Sequence, residues 1–215
     1  MPTVPLHDTP RVTRTCRFGP LEIEFDDRVL TPRPWTFEQS SWAAQLSSSV
    51  GPGPILELCA GAGQIGLAAA VLADRDLVQV ELDPVAAGWA LANAARAGRS
   101  ARVEVRTAHL AQALRTEETF PLALADPPYL RSDDRARWPD DPALAIDGGP
   151  DGLDVVRACL AVATGHLEPG APLLLQVAGA GQADEVARLG DADAFEIRET
   201  RAYDSERAVL LLVRR

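Results

Sequence analysis

Between residues 55 and 177 the chain alternates short apolar runs with alanine-rich helical stretches, and this alternation limits the fold more than any other feature. Ile55 to Leu58, Leu77 to Glu81, Leu122 to Ala125 and Pro172 to Val177 read as short buried strands. Arg102 to Thr107, with Val103 and Val105 alternating, reads as another. Gly63 to Ala73, Pro84 to Ala97, Leu110 to Arg115 and Leu153 to His166 read as helices, with Pro84 suited to a first turn. A long loop is expected from Asp126 to Pro150, a helix over Gln182 to Leu189, and a closing antiparallel pair at Phe195 to Ala202 and Ala208 to Val213. Strands alternating with helices imply an α/β fold: a doubly wound, Rossmann-like, mostly parallel sheet with an antiparallel C-terminal strand. In such sheets a ligand binds beyond the carboxyl ends of the strands, at the switch in strand order.

The region before Gly51-Pro52-Gly53-Pro54 follows a different pattern. Residues 1 to 15 read as an irregular arm. Leu21 to Phe25 alternates apolar and acidic residues as an exposed strand does, and Asp26-Asp27-Arg28 is expected to turn it toward Val29-Leu30. Thr31-Pro32-Arg33-Pro34 must be extended, because each proline fixes its own φ and restricts the residue before it. A helix is expected from Phe37 to Ser49. The division is therefore an arm, hairpin and helix over 1–50 packed on the α/β domain over 51–215.

With 215 residues and 47% hydrophobic content the chain can bury a full core. No run is apolar enough to span a bilayer, and no secretory signal is visible, so a cytoplasmic protein is expected. Cys16, Cys59 and Cys159 are too scattered for a disulfide framework, and the three histidines are equally scattered, so no metal site is expected. A net charge of −10 disfavours binding to a phosphate backbone.

The first strand of the sheet runs into Glu57-Leu58-Cys59-Ala60-Gly61-Ala62-Gly63-Gln64-Ile65-Gly66. Gly61, Gly63 and Gly66 form G-x-G-x-x-G at a strand-to-helix turn, where the backbone can approach a ligand closely. Glu57 stands where a carboxylate helps hold an ammonium group, directly or through water. Glu81 ends the next strand at the spacing of a carboxylate that binds ribose hydroxyls. Ribose is common to NAD and S-adenosylmethionine, so Glu81 alone does not separate the two.

A fourth strand ends in Asp126-Pro127-Pro128-Tyr129. Neither proline has an N–H, so this backbone offers acceptors without matching donors. An NH2 group suits that set, with its hydrogens on Asp126 and the Pro127 carbonyl and its flat body on Tyr129. Its lone pair is then turned toward a sulfonium methyl, and alignment is the main service required, since a sulfonium is already reactive. Nothing in NAD chemistry calls for such a corner.

At these residues the chain resembles the class I methyltransferases, and within them the HemK/PrmC family of protein glutamine methyltransferases, over about residues 16 to 180. Phe18-Gly19 through Pro32-Arg33-Pro34 resembles that family's hairpin and its P-R-P segment. Glu57 to Gly63 resembles its glycine loop, and Glu81-Leu82-Asp83-Pro84 its ribose-binding turn. Asp126 to Tyr129 resembles its N-P-P-Y. Ala143-Leu144 with Gly148-Gly149-Pro150-Asp151-Gly152-Leu153 resembles its A-L…G-G-x-D-G-L stretch, and Leu167-Glu168-Pro169-Gly170 its L-x-P-G turn.

The resemblance implies methyl transfer from S-adenosylmethionine, with S-adenosylhomocysteine as product, to a glutamine side-chain amide in a protein such as a release factor. It implies Asp126, Pro127, Pro128 and Tyr129 as catalytic residues. Glu57, Cys59, Ala60, Gly61, Gly63, Glu81, Leu82, His109 and Asp126 fall to the cofactor, and Pro32, Arg33, Pro34, Trp35 and Tyr129 to the substrate. The chain also departs from the family. Asp126 replaces its Asn. Pro32-Arg33-Pro34-Trp35-Thr36-Phe37 lacks the acidic residue of P-R-P-x-T-E, with Glu38 one position later. His109 stands where an acidic residue is usual near the adenine. The helical domain that docks release factors finds no counterpart in residues 1 to 15.

Two other acceptor classes therefore stay open. Asp-Pro-Pro-Tyr is common in enzymes that methylate exocyclic base amines of RNA or DNA, and a small-molecule acceptor suits a chain without the docking domain. A non-catalytic cofactor-binding protein is the reading of a different class. Cys59 is expected to pack rather than react, Trp35 and Trp138 to flank the pocket, Trp42 and Trp89 to lie in the core, and Asp147 to Gly152 to form a lid that orders on binding.

Overall fold

The computed structural model describes residues 12–189 and 193–215. Most of the expected arm, residues 1–11, lies outside the described residues. Arg14 and Thr15, also assigned to that arm, instead belong to a strand. β1 (Arg14–Phe18) pairs antiparallel with β2 (Leu21–Phe25), Arg14 opposite Phe25 and Phe18 opposite Leu21. The hairpin turns at Gly19-Pro20, and β2 then runs into the expected turn at Asp26–Arg28, where Val29 N donates to Asp26 O at 3.4 Å. Gly19 takes the left-handed φ of +55° that a tight turn requires and that carries no penalty without a Cβ. In the later turn Asp26 accepts from the Arg28 backbone N–H at 3.0 Å and binds its guanidinium, which holds the carboxyl below its ordinary range. A 3-10 turn at Pro34–Thr36 leads into α1 (Phe37–Ser47).

The main sheet has seven strands in the order β5-β4-β3-β6-β7-β9-β8. β3 (Ile55–Leu58), β4 (Leu77–Glu81), β5 (Val103–Thr107), β6 (Ala123–Ala125) and β7 (Pro172–Val177) are parallel. β9 (Ala208–Arg214) enters antiparallel to β7, and β8 (Phe195–Ala202) closes the edge antiparallel to β9. The chain winds outward from β3 to β5, then returns to place β6 on the other side of β3. The switch point lies between β3 and β6, where Leu58 is opposite Ala125. Cys59 and Asp126 follow those two residues directly.

Alternation along the strands feeds two cores. Leu56, Leu58, Ala123, Ala125, Leu173 and Leu175 face α5 (Asp154–His166). Ile55, Leu122, Leu124, Leu174, Val209 and Leu211 face α1 and α2 (Gln64–Ala73), and the hairpin residues Phe18, Ile23 and Phe25 join this second core. α3 (Pro84–Arg96) is capped by the Asp83 carboxylate, which accepts from the Val85 N–H at 2.8 Å.

The expected long loop after β6 is structured. It holds a 3-10 stretch, Ser132–Arg137, and a short helix, α4 (Ala143–Ile146). Leu130 N donates to Ile146 O at 3.0 Å, Gly148 N to Leu130 O at 2.8 Å, and the Ser132 hydroxyl to Asp147 at 2.7 Å. Asp147 to Gly152, expected as a lid, is therefore tied down by backbone hydrogen bonds. α6 (Gly179–Val186) starts before Gln182 because Gly179, at φ +69°, turns the chain directly out of β7. No described helix is long and apolar enough to cross a membrane.

Candidate active site

The glycine turn is fixed from behind. Gly63 N donates to Ala60 O at 2.8 Å, and Gly63 holds φ +82°. A Cβ there would stand 2.8 Å from Gln79 Nε2 and 2.9 Å from Ala90 Cβ, so only glycine lets the turn press against β4 and α3. Gly61, at φ +58°, is the opposite case: no protein atom lies within 4 Å of the position its Cβ would occupy. Its open side faces a cavity of about 660 Å³, within the range of small-molecule sites.

Two carboxylates hold this turn. Glu81 Oε2 accepts from Gly61 N at 2.7 Å and Oε1 from Asp83 N at 2.8 Å, clasping the ends of β3 and β4 together while lining the cavity. Burial raises its pKa above the ordinary range. Glu57 is 2% exposed and does not reach the cavity wall. Its Oε1 accepts from Gly66 N at 2.8 Å and its Oε2 from Gln79 Nε2 at 2.6 Å, and that same nitrogen donates to Gly63 O at 3.0 Å. Burial pushes Glu57 up to about 7 against the pull of those two donors, with the charges of Asp126 and Glu81 adding to the rise.

Of the other residues expected at a cofactor, Cys59, Ala60, Leu82, His109 and Asp126 line the same cavity, and Gly63 lies behind it. Cys59 packs its sulfur 3.9 Å from that of Cys159 in α5 and holds a left-handed φ of +59°. The half-exposed Leu82 has a counterpart in Leu144 of α4, also half-exposed and lining the cavity. Sequence reasoning misses Leu144 as a contact because four residues of helix inside a proline-rich loop leave no periodic signal.

At the other end stand Asp126 and Pro128, with Pro127 buried beneath. Asp126 is half-buried, and no described group donates a hydrogen bond to its carboxylate. Burial alone raises it from 3.8 to about 7. Tyr129 does not line the cavity. Its hydroxyl adjoins Gln176 of β7, and burial first and the Asp126 charge second raise its pKa.

The expected substrate residues are spread around this corner. Arg33 binds Asp141 through two hydrogen bonds of 2.8 and 2.9 Å and lines a second cavity of about 560 Å³ together with Trp138. Pro32 is buried and Pro34 exposed, and neither lines either cavity. Trp35 lies 5.8 Å from the Tyr203 ring and 4.8 Å beneath the Arg207 guanidinium. Tyr203 and Arg207 lie between β8 and β9, some 170 positions from Trp35, and no local motif marks them.

No family model matches the chain. The release factor glutamine methyltransferase of Clostridium acetobutylicum is 27% identical over 197 residues, 88% of this chain and 69% of the relative. That of Gloeobacter violaceus is 33% identical over 181 residues, 81% of this chain and 63% of the relative. The chain is a homologue of the release factor glutamine methyltransferases. It spans about two thirds of the length of these two members of the family. A methyltransferase from Pyrococcus furiosus superposes with a TM-score of 0.67 at 18% identity, over 91% of this chain and 89% of that one. The fold is that of the class I methyltransferases, as the strand order and the antiparallel β9 require.

Proposed function

We propose that this chain transfers the methyl group of S-adenosylmethionine to the side-chain amide nitrogen of a protein glutamine, with residues 51–215 carrying the catalytic machinery and 1–50 supplying one wall of the acceptor site. One observation carries the reading: Asp126, half-buried and without a hydrogen-bond partner, stands on the wall of the cavity that also holds the open face of Gly61 and the Glu81 carboxylate. The group fits the residues present. Glu81 keeps free lone pairs for ribose hydroxyls after accepting two backbone N–H groups. Leu82 and Leu144 offer apolar faces to a flat base, with His109 beside them. Gln64 Oε1, in a side chain lining the cavity, is buried with no partner in the protein.

Bound there, S-adenosylmethionine supplies an electrophilic methyl on a positively charged sulfur. Everything else falls to the chain. Cys59, Ala60 and Gly61 shape the floor, while Glu57 acts through the turn by holding Gly63 and Gly66 in place. Asp126 and the Pro127 carbonyl take the two N–H bonds of the acceptor, and the Tyr129 ring supports its plane. A carboxylate that titrates near 7 also gives the proton lost from the methylated nitrogen somewhere to go. Arg33 and Trp35 form the acceptor's outer wall, with Pro32 and Pro34 fixing the extended backbone that carries them.

The test is incubation with tritiated S-adenosylmethionine and purified release factor, followed by peptide mass spectrometry. Label on a glutamine amide, abolished by Asp126→Ala, supports the reading. Label on RNA, DNA or a metabolite from fractionated extract moves the acceptor to one of the other classes. No transfer to any fraction, with cofactor still bound, leaves a binding protein.

A further inference from the structure

β7 ends beside the acceptor corner with a residue that the proposed reaction does not use. Leu175 lies opposite Ala125, so Gln176 is level with Asp126. Alternation puts its side chain on the α1 face with Leu174, where Val209 is its neighbour on β9. Gln176 has no exposed surface, and neither its Oε1 nor its Nε2 has a hydrogen-bond partner. Burying such groups without partners costs about 1–3 kcal/mol each, so native structures seldom tolerate them where nothing is gained.

This isolation is local. Of the seven buried side-chain atoms without partners among the described residues, four belong to Gln176, Gln39 and Tyr203. Gln39 reaches from α1 to donate to Ala125 O at 3.1 Å and Leu174 O at 3.0 Å, stapling β6 to β7 immediately before Asp126. Tyr203 packs at a tilt against Trp35. The Tyr129 hydroxyl adjoins Gln176, near enough to feel the amide yet not seated in a hydrogen bond.

We propose that Gln176 is a positioning residue: its side-chain amide latches the Tyr129 hydroxyl and so fixes the ring face against which the acceptor's NH2 group lies. The latch rests on the acceptor site of the proposed function. The two groups stand side by side with the bond unmade, and a small swing of the Tyr129 side chain about its Cα–Cβ bond as the acceptor seats itself closes it. A glutamine amide can serve either need of the hydroxyl, accepting through Oε1 or donating through Nε2. Main-chain pairing of β7 on both sides keeps the amide at the level of Asp126 throughout.

A double-mutant cycle of Gln176→Leu and Tyr129→Phe tests this, with kcat and KM measured on purified release factor and tritiated S-adenosylmethionine. Gln176→Leu is expected to lower kcat about tenfold, the worth of one neutral hydrogen bond, with cofactor affinity by calorimetry unchanged. In the Tyr129→Phe background the same change should have little effect, and Gln176→Glu, which keeps an acceptor for the hydroxyl, should restore most of kcat. A second arm needs no turnover. The chain has two tyrosines, so carbon-13 labelling at the phenol carbon gives two resonances, and Tyr129→Phe identifies one of them. Gln176→Leu should move the Tyr129 resonance and leave that of Tyr203 in place. Equal losses of kcat in both backgrounds, or an unmoved Tyr129 resonance in Gln176→Leu and Gln176→Glu alike, overturn the latch. A wild-type protein that transfers no label defeats the proposed function instead, and the resonances keep the two failures apart.

Discussion

Glu57 and Asp126 lie at the carboxyl ends of neighbouring strands, and burial pushes both up to about 7. Their surroundings differ in one respect. Both Glu57 oxygens are occupied, by a backbone N–H and a glutamine amide, and the carboxylate faces away from the cavity. Asp126 has neither donor and faces it. A shared titration therefore marks opposite uses. One carboxylate is consumed by the fold, where it holds the glycine turn in shape. The other is kept without partners at a cost in stability, so that its hydrogen bonds are free for an incoming group. A perturbed pKa locates the pocket, and only the hydrogen-bond inventory says which acid serves the ligand.

The sharpest way to break this contrast is to remove each acid in turn. Asp126→Ala should lower kcat/KM by about a thousandfold, within the range for a lost acid–base and positioning group. Cofactor affinity should hardly change, and the melting temperature at pH 8 should rise, because a desolvated charge has been removed. A fall in melting temperature at pH 8 would place Asp126 in the same structural class as Glu57.

Glu57→Ala should act the other way. It strands Gly66 N–H and the Gln79 amide in a site that is 2% exposed. The expected loss is about 3 kcal/mol in urea-induced unfolding, the cost of leaving buried donors unmade. Activity should fall only as far as the turn loosens. An unaltered unfolding midpoint in Glu57→Ala would mean that the turn holds its shape unaided.

The glycines divide along the same line. Gly61→Ala meets no protein atom but fills the space a ligand needs, so cofactor affinity should drop about thirtyfold, or 2 kcal/mol. Its stability cost should stay near 1 kcal/mol, the penalty for an L-residue at a left-handed φ. Gly63→Ala meets Gln79 and Ala90 within 3 Å and should cost about 3 kcal/mol of stability through overpacking and the same backbone strain. Calorimetric titration and urea unfolding of the pair separate the two effects.

The legible part of the molecule is the part with local causes. Ile55 to Leu58 and Gly61 to Gly66 declare strand, turn and helix within a dozen positions, because tight turning and burial act on neighbours in sequence. The turn at Asp26-Asp27-Arg28 is legible from its composition, whereas the pairing of Arg14 and Thr15 with β2 leaves no signal in an arm of irregular sequence. Glu57 stands out in the sequence, but whether its carboxylate faces the ligand or Gln79 depends on packing between β3 and β4, which the spacing of residues does not record. Gln39, Gln176, Tyr203 and Arg207 join the acceptor corner from α1, β7 and the turn between β8 and β9. Each is an ordinary polar residue in its own segment, and only the closing of the sheet gives it a neighbour to act on.

The smallest effect concerns pH, and it tests the contrast without disturbing the packing. Asp126 holds the acceptor's N–H most strongly, and can take up the proton lost on methylation, only when ionised, so kcat/KM should rise with pH and level off above its folded pKa of about 7. Between pH 6 and pH 8 the ionised fraction of such a group changes about tenfold, and so should the rate. Asp126→Asn, lower in activity throughout, should lose that limb, since its acceptor count no longer depends on protons. Stability should move in the opposite direction. Both carboxylates have folded pKa values above their ordinary ones, so the native state holds protons that the unfolded chain has released between about pH 4 and pH 7. Stability is therefore greatest at the acid end of that window and falls as pH rises through it. Asp126→Asn should remove one acid's share of the fall and leave the share of Glu57. A rate limb that survives in Asp126→Asn, or vanishes in Glu57→Gln while that variant stays folded, would move the catalytic titration to the other strand end and reverse the roles of the two acids.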